Sequence, residues 1–156
     1  MGIFDKIKEV FIGKGASLRI RALNQINDAK LPIKIIVECT TTNKDIDVDQ
    51  VYVNIKAIEE IRYYRNHKPG RQPRVHAHSN TYATTTFKQD IQVTGPLHIP
   101  ANGVYEWEVE INLPTNVNGT YRGTNANHEW SIRAGLDVKG IDPKSSWVVI
   151  EVNNPY

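Results

Sequence analysis

The sequence predicts an all-β protein, an antiparallel β-sandwich with one short amphipathic helix at its N-terminus. Three observations carry that prediction. Apolar and polar residues alternate in seven or more short stretches, clusters rich in Gly, Pro, Asn and Asp separate those stretches, and a helical period occurs once, within the first eleven residues. The expected organisation is a helix over 1–15 and a single sandwich domain over 16–156. A chain of 156 residues is long enough to bury about two-thirds of its unfolded surface, so stability needs no disulfide or metal.

Ile3, Phe4, Ile7, Val10 and Phe11 line one face of the opening helix, with Lys6, Lys8 and Glu9 off it, and Gly13 and Gly15 stop it. An isolated helix this short is marginal in water, so its apolar face must be covered, first by the sandwich itself and otherwise by a partner or a lipid surface. Period two then takes over in SLRIRAL (17–23) and in LPIKIIVECT (31–40), where Leu31, Ile33, Ile35, Val37 and Cys39 share a face. It continues in QVYVNIKAI (50–58), TYATTTFKQDIQV (81–93), YEWEVEI (105–111), EWSIRAGLDV (129–138) and SWVVIEV (146–152). The turns between them fall in NDAKLP, KPGRQP, TGPLHIPANG, LPTNVNG and GIDPKS. In GVYEWEVEINLP, Tyr105, Trp107, Val109 and Ile111 point to a dry face, and Glu106, Glu108 and Glu110 form a row on a wet one, where Arg or Lys of a neighbouring strand would pair with them. Trp107, Trp130 and Trp147 all lie in strand patterns and read as core.

The C-terminal third, NGVYEWEVEINLPTNVNGTYRGTNANHEWSIRAGLDVKGIDPKSSWVVIEV, resembles the arrestin-like superfamily. The resemblance rests on Gly103, Tyr105, Leu113 and Pro114 in a glycine-then-aromatic strand with a leucine-proline corner. It rests further on Trp130, Ile132, Ala134, Leu136, Asp137 and Val138, and on Val148, Ile150 and Val152 in a closing strand. The small opening helix followed by IGKGAS looks most like the bacterial sporulation-control proteins. What this implies is an immunoglobulin-like (arrestin-like) sandwich and a non-catalytic role in binding other proteins. Such proteins usually carry two domains, and the sequence here accounts for one; whether another chain supplies the second is left open.

Cys39 is the sole cysteine and cannot form an intramolecular bridge; on the dry face of its strand it reads as an inert packing residue. Asp5 and Glu9 interrupt the place where a secretory signal has an apolar run, which leads us to expect a cytoplasmic protein. No apolar run is long enough to span a bilayer as a helix. DIDVD (45–49) opens like a calcium loop, yet Gln50 stands where that loop has glycine and Lys56 where it has glutamate. His76 and His78 are spaced to share one side of a strand and are the candidate metal ligands, although two ligands do not make a site. No GxSxG elbow, phosphate-binding glycine loop, HExxH or cysteine pair is present. The expectation is therefore no catalysis and no cofactor.

Charge carries the functional signal. Residues 61–88 hold Arg62, Arg65, Lys68, Arg71, Arg74 and Lys88 with His67, His76 and His78, and no acidic residue, although the whole chain is only +2. The rest of the molecule is net negative. Tyr63, Tyr64 and Tyr82 are interleaved with these cations, a combination suited to cationic and stacking contacts. A solvated loop is the plain reading; the functional one is capture of an acidic or phosphorylated protein segment through Arg62, Arg65, Lys68, Arg71 and Arg74, or peripheral contact with anionic lipid. Nucleic acid is not expected, because the net charge is small and no module pattern is present. The leading expectation is an adaptor or regulatory module with a protein partner. The alternatives are a self-assembling structural component, forming a homo-oligomer, and a small-molecule or carbohydrate-binding sandwich.

Overall fold

The structure is a computed structural model in which residues 15–64 and 79–154 are described. The helix expected over 1–15 lies outside the described residues except for Gly15, whose φ of 80° is a left-handed conformation that favours glycine. From there the described chain is all β. Its strands are β1 (Ala16–Arg21), β2 (Ile26–Asp28), β3 (Ile33–Thr41), β4 (Ile46–Val48), β5 (Gln50–Tyr64) and β6 (Ser79–Gln92), followed by β7 (Leu97–Ile99), β8 (Val104–Ile111), β9 (Tyr121–Arg122), β10 (Ala126–Asp137) and β11 (Val148–Asn153).

One sheet has the order β1-β3-β8; the larger has β2-β11-β10-β5-β6, with β9 added on β10, and β4 pairs with β7. Every pairing is antiparallel except that of the short β2 with β11. Alternation sets the core between the sheets: Ile33, Ile35, Val37 and Cys39 of β3 with Val109 and Ile111 of β8 on one side, and Val51, Val53, Ile55 and Ala57 of β5 with Trp130, Ile132, Ala134 and Leu136 of β10 on the other. Burial stabilises by about 1.5–3 kcal/mol for each large apolar side chain. The antiparallel sandwich is therefore as the sequence predicts, and the seven principal strands fall where its alternation places them.

The three tryptophans part company. Trp130 is fully buried, tilted against Phe87 at 5.3 Å, and its indole Nε1 donates to the carbonyl of Asn118 at 2.9 Å, which satisfies its polar edge. Trp107 faces the same core from the opposite sheet but is only partly buried. Trp147 is not core: it precedes β11 and shares the parity of Val149 and Glu151, while Ile150 and Val152 point inward. Its ring lies instead over the outer face of the large sheet, against Lys56 and Arg133.

The unequal burial of the tryptophans sets the expected cost of truncation. Trp130→Ala is expected to cost about 3–5 kcal/mol in urea unfolding, the range for a large aromatic cavity, and Trp107→Ala distinctly less. Equal losses at the two positions would contradict the packing described.

Candidate functional site

The glutamate row is engaged at one end. Across β1 and β3, Arg19 stands opposite Glu38, with Arg19 Nε 2.5 Å from Glu38 Oε1 and Arg21 Nε 3.0 Å from Glu38 Oε2. Arg21 Nη2 donates to Glu106 on β8. Two arginines thus cover Glu38, which is buried, and tie the outer face of the three-stranded sheet together. Glu110 stands opposite Lys34. This face has the cross-strand charge chemistry expected for it.

The two leading carboxylates of DIDVD also have a partner. Asp47 is opposite His98 in the β4–β7 pair; His98 Nδ1 is 2.6 Å from Asp47 Oδ1 and His98 Nε2 is 3.1 Å from Asp45 Oδ2. Asp45 Oδ1 accepts from the backbone N–H of Ala101 at 2.8 Å. The hydrogen bonds to Asp47 and then Asp45 raise the His98 pKa above its ordinary value, while the Ala101 N–H and then His98 lower that of Asp45. No group of three or more His, Cys, Asp or Glu among the described residues is arranged to hold a metal ion. Cys39 is buried, and burial pushes its thiol up to about 11.

The two described ends of the basic stretch, 61–64 and 79–88, lie on the long paired strands β5 and β6. β5 and β6 pair from Tyr52↔Gln92 to Tyr64↔Ser79, with a bulge where Ala57 faces Phe87 and Ile58 faces Thr85. Up to the bulge β5 alternates buried and half-buried; beyond it none of the described side chains of β5 is buried. Thr86, the extra residue, bonds the carbonyl of Ala57 at 3.3 Å and lies 2.6 Å from His128 Nε2. His128 Nδ1, in turn, donates to the carbonyl of Gly119 at 2.8 Å. Past this junction Ile61 stands opposite Tyr82, and Tyr63 follows on the same face; these are 41 %, 62 % and 49 % exposed. Tyr121, stacked on His128 at 5.6 Å and donating to Glu59, closes the near end of that apolar face. Arg62 is exposed on the opposite face. Arg65, Lys68, Arg71 and Arg74, together with His76 and His78, lie outside the described residues.

A second constellation was not legible as a site. On the outer face of the large sheet, Lys56, Lys88, Arg133 and Lys144, with Asp90, Asp137 and Asp142 and with Tyr52, Asn54 and Trp147, line an open groove of about 680 Å³. The Tyr52 ring packs where any side chain on Gly135 would collide with it, so glycine is required there by close approach. The Tyr52 hydroxyl donates to Asp142 at 3.0 Å; burial, then this carboxylate, raises its pKa. Lys56 Nζ lies 3.9 Å from the centre of the Trp147 ring and Arg133 Cζ 4.3 Å. With cations against its ring, Trp147 is a poor platform for a sugar, which leaves the carbohydrate reading without its main support.

The fold assembled from these elements is the arrestin-like β-sandwich. Among solved structures it is similar to the sporulation control protein Spo0M from Bacillus subtilis, with a TM-score of 0.61 and 16% sequence identity, over 91% of this chain. The chain spans 50% of the length of that structure. No family model matches the sequence, and neither does any curated protein.

Two solution measurements check this geometry. In NMR titration His98 is expected to titrate above 6.5, its ordinary value. Its raised pKa makes its contribution to stability full below 6.5 and lost as pH rises through the folded value; the lowered Asp45 contributes above 3.8 and is lost as pH falls through its folded value. The β4–β7 clasp is thus strongest between those limits, and a His98 pKa at or below 6.5 would contradict it. Cys39 is expected to resist a thiol reagent in the native protein and to react on unfolding, since only the exposed thiolate attacks; rapid native labelling would contradict its burial.

Proposed function

We propose that this chain is a non-catalytic, arrestin-like regulatory module that binds an acidic or phosphorylated segment of a partner protein through its basic hairpin. The observation that carries this reading is charge segregation: from Ile61 to Lys88 the sequence holds six Lys and Arg and no acid, on the one hairpin whose far half leaves the core. Guanidinium groups suit this task because their planar fork grips carboxylate and phosphate through two parallel hydrogen bonds. Ile61, Tyr63 and Tyr82, exposed on the hairpin face opposite Arg62, supply the apolar contact that charge alone lacks. The similar solved structure is that of a sporulation control protein, which supports a regulatory role and says nothing of the partner.

One observation favours self-assembly as a second reading. β6 is the edge of its sheet, and from Asn80 to Phe87 it carries no charged residue, so its unpaired backbone groups are open to another strand. A mass in solution that rises with concentration would support this reading, and a constant monomer mass would remove it.

The test of the main reading is the variant Arg65→Gln, Arg71→Gln, Arg74→Gln. Its melting temperature is expected to stay at the wild-type value, and its affinity for acidic and phosphorylated peptides to fall about 10- to 100-fold, from three charge contacts at about 0.5–1 kcal/mol each. Wild-type binding should weaken as salt rises, because exposed charges are screened over about 8 Å at physiological ionic strength. Lysine at the three positions should restore only part of the affinity. Equal peptide binding by variant and wild type at low and physiological salt would overturn the proposal, and binding confined to anionic vesicles would replace the protein partner with a membrane.

A further inference from the structure

The outer groove of the large sheet is lined by four cations, Lys56, Lys88, Arg133 and Lys144, and by three carboxylates, Asp90, Asp137 and Asp142. Lys56 and Lys88 are directly opposite each other across β5 and β6, an arrangement that is destabilising for like charges at cross-strand distance. Arg133 is one row away, opposite Asn54, and none of the three makes an ion pair within 4 Å among the described residues. The three carboxylates of the groove accept hydrogen bonds from uncharged donors. Asp90 accepts from Asn54 Nδ2 at 2.6 Å, Asp142 from Tyr52 and from the backbone N–H of Val138, and Asp137 from Gln50 Nε2 at 3.3 Å. Glu129, on the next row opposite Ile58, is exposed.

These cations are also positioned rather than loose. Arg133 Nε donates to Asn54 Oδ1 at 3.1 Å, so the chain Arg133 to Asn54 to Asp90 fixes the guanidinium and leaves its terminal N–H groups unspent. Trp147 backs both Lys56 and Arg133; a cation resting on an aromatic ring keeps its outward N–H groups for an anion. Four cations against three carboxylates leave the lining net positive, and an anion placed among Lys56, Lys88 and Arg133 offsets their mutual repulsion.

We propose that Lys56, Lys88 and Arg133, backed by Trp147, form an oxyanion site that takes a phosphate-monoester-type dianion. A lone carboxylate presents two oxygens and one charge, whereas a phosphoryl group presents three oxygens and close to two charges at neutral pH, matching three converging cations. The site lies on the stem of the same hairpin, before the bulge, and stands whether or not Arg65, Arg71 and Arg74 bind a partner.

The test is a two-dimensional NMR titration of the full chain with inorganic phosphate, at constant ionic strength set with sodium chloride. Saturable shifts are expected at the amides of Lys56, Lys88 and Arg133 and at the Trp147 indole, with at least about tenfold weaker affinity in Lys56→Gln, Lys88→Gln. The Arg65, Arg71, Arg74 glutamine variant should keep those shifts, which separates the groove from the hairpin. A parallel arm measures co-sedimentation with phosphatidic acid vesicles: binding lost in the lysine variant assigns the phosphate to a lipid headgroup, while phosphate shifts without vesicle binding assign it to a small phosphorylated molecule. Thermal melting supplies a second readout, because phosphate should raise the melting temperature of the wild type and leave that of the lysine variant unchanged. The absence of saturable shifts in both arms would overturn the proposal, as would equal affinity in the lysine variant or loss of the groove shifts in the hairpin variant.

Discussion

Everything else in the molecule hangs on the pairing of β5 with β10. Twelve consecutive residues, Gln50 to Ile61, face Asp137 to Ala126 without a break, and on one side of that ribbon Val51, Val53, Ile55, Ala57, Trp130, Ile132, Ala134 and Leu136 are all completely buried. Because side chains alternate strictly, a slip of one residue would turn the whole apolar set outward. The register is therefore fixed by hydrophobic burial, and every functional feature inherits its place from it. The outer face of the same ribbon brings Lys56, Arg133, Asn54 and Tyr52 into one groove, and its extension past the core carries the basic hairpin.

The inner half of this arrangement was written plainly in the sequence. Alternation in IKIIVECT, VYVNIKAI and SIRAGLDV is a direct consequence of a one-sided core, so strand existence and facing could be read off residue type. The short strands β2, β4, β7 and β9 were not expected as elements, because two or three residues are too few to show a period. The far half of β5 was missed for a different reason. EEIRYY ends the apolar alternation, since no second sheet covers that length, yet backbone pairing with β6 and β10 continues regardless of side-chain burial.

The outer groove shows why a site can be invisible while its fold is legible. Lys56, Lys88, Arg133 and Trp147 are far apart in sequence and each sits at an ordinary outward-facing position, so no local spacing marks them. Trp147 carried the best available signal. It shares parity with Glu151 and opposes Ile150, so strict alternation places it on the wet face, but the general preference of tryptophan for burial outweighed that parity. Its cation contacts reconcile the two: the ring is covered by Lys56 and Arg133 instead of by the core.

The bulge at Thr86 governs what the hairpin displays. Before it, Phe87, Gln89 and Ile91 of β6 lie beside Ala57, Ile55 and Val53 on the core side; beyond it, Thr84 and Tyr82 lie beside Glu59 and Ile61 on that same side. One inserted residue thus exchanges odd for even positions and brings Tyr82 next to Ile61. A regular strand would put Tyr82 on the other face with Arg62. The run ATTT (83–86) conceals the change, because threonine suits either face of a strand. The irregularity brings the Thr86 hydroxyl within reach of the Ala57 carbonyl and of His128 Nε2, and His128 Nδ1 donates to Gly119. The junction therefore separates a hairpin stem anchored in the core from an arm that carries Tyr63, Tyr82 and Ile61 on one face and Arg62 on the other.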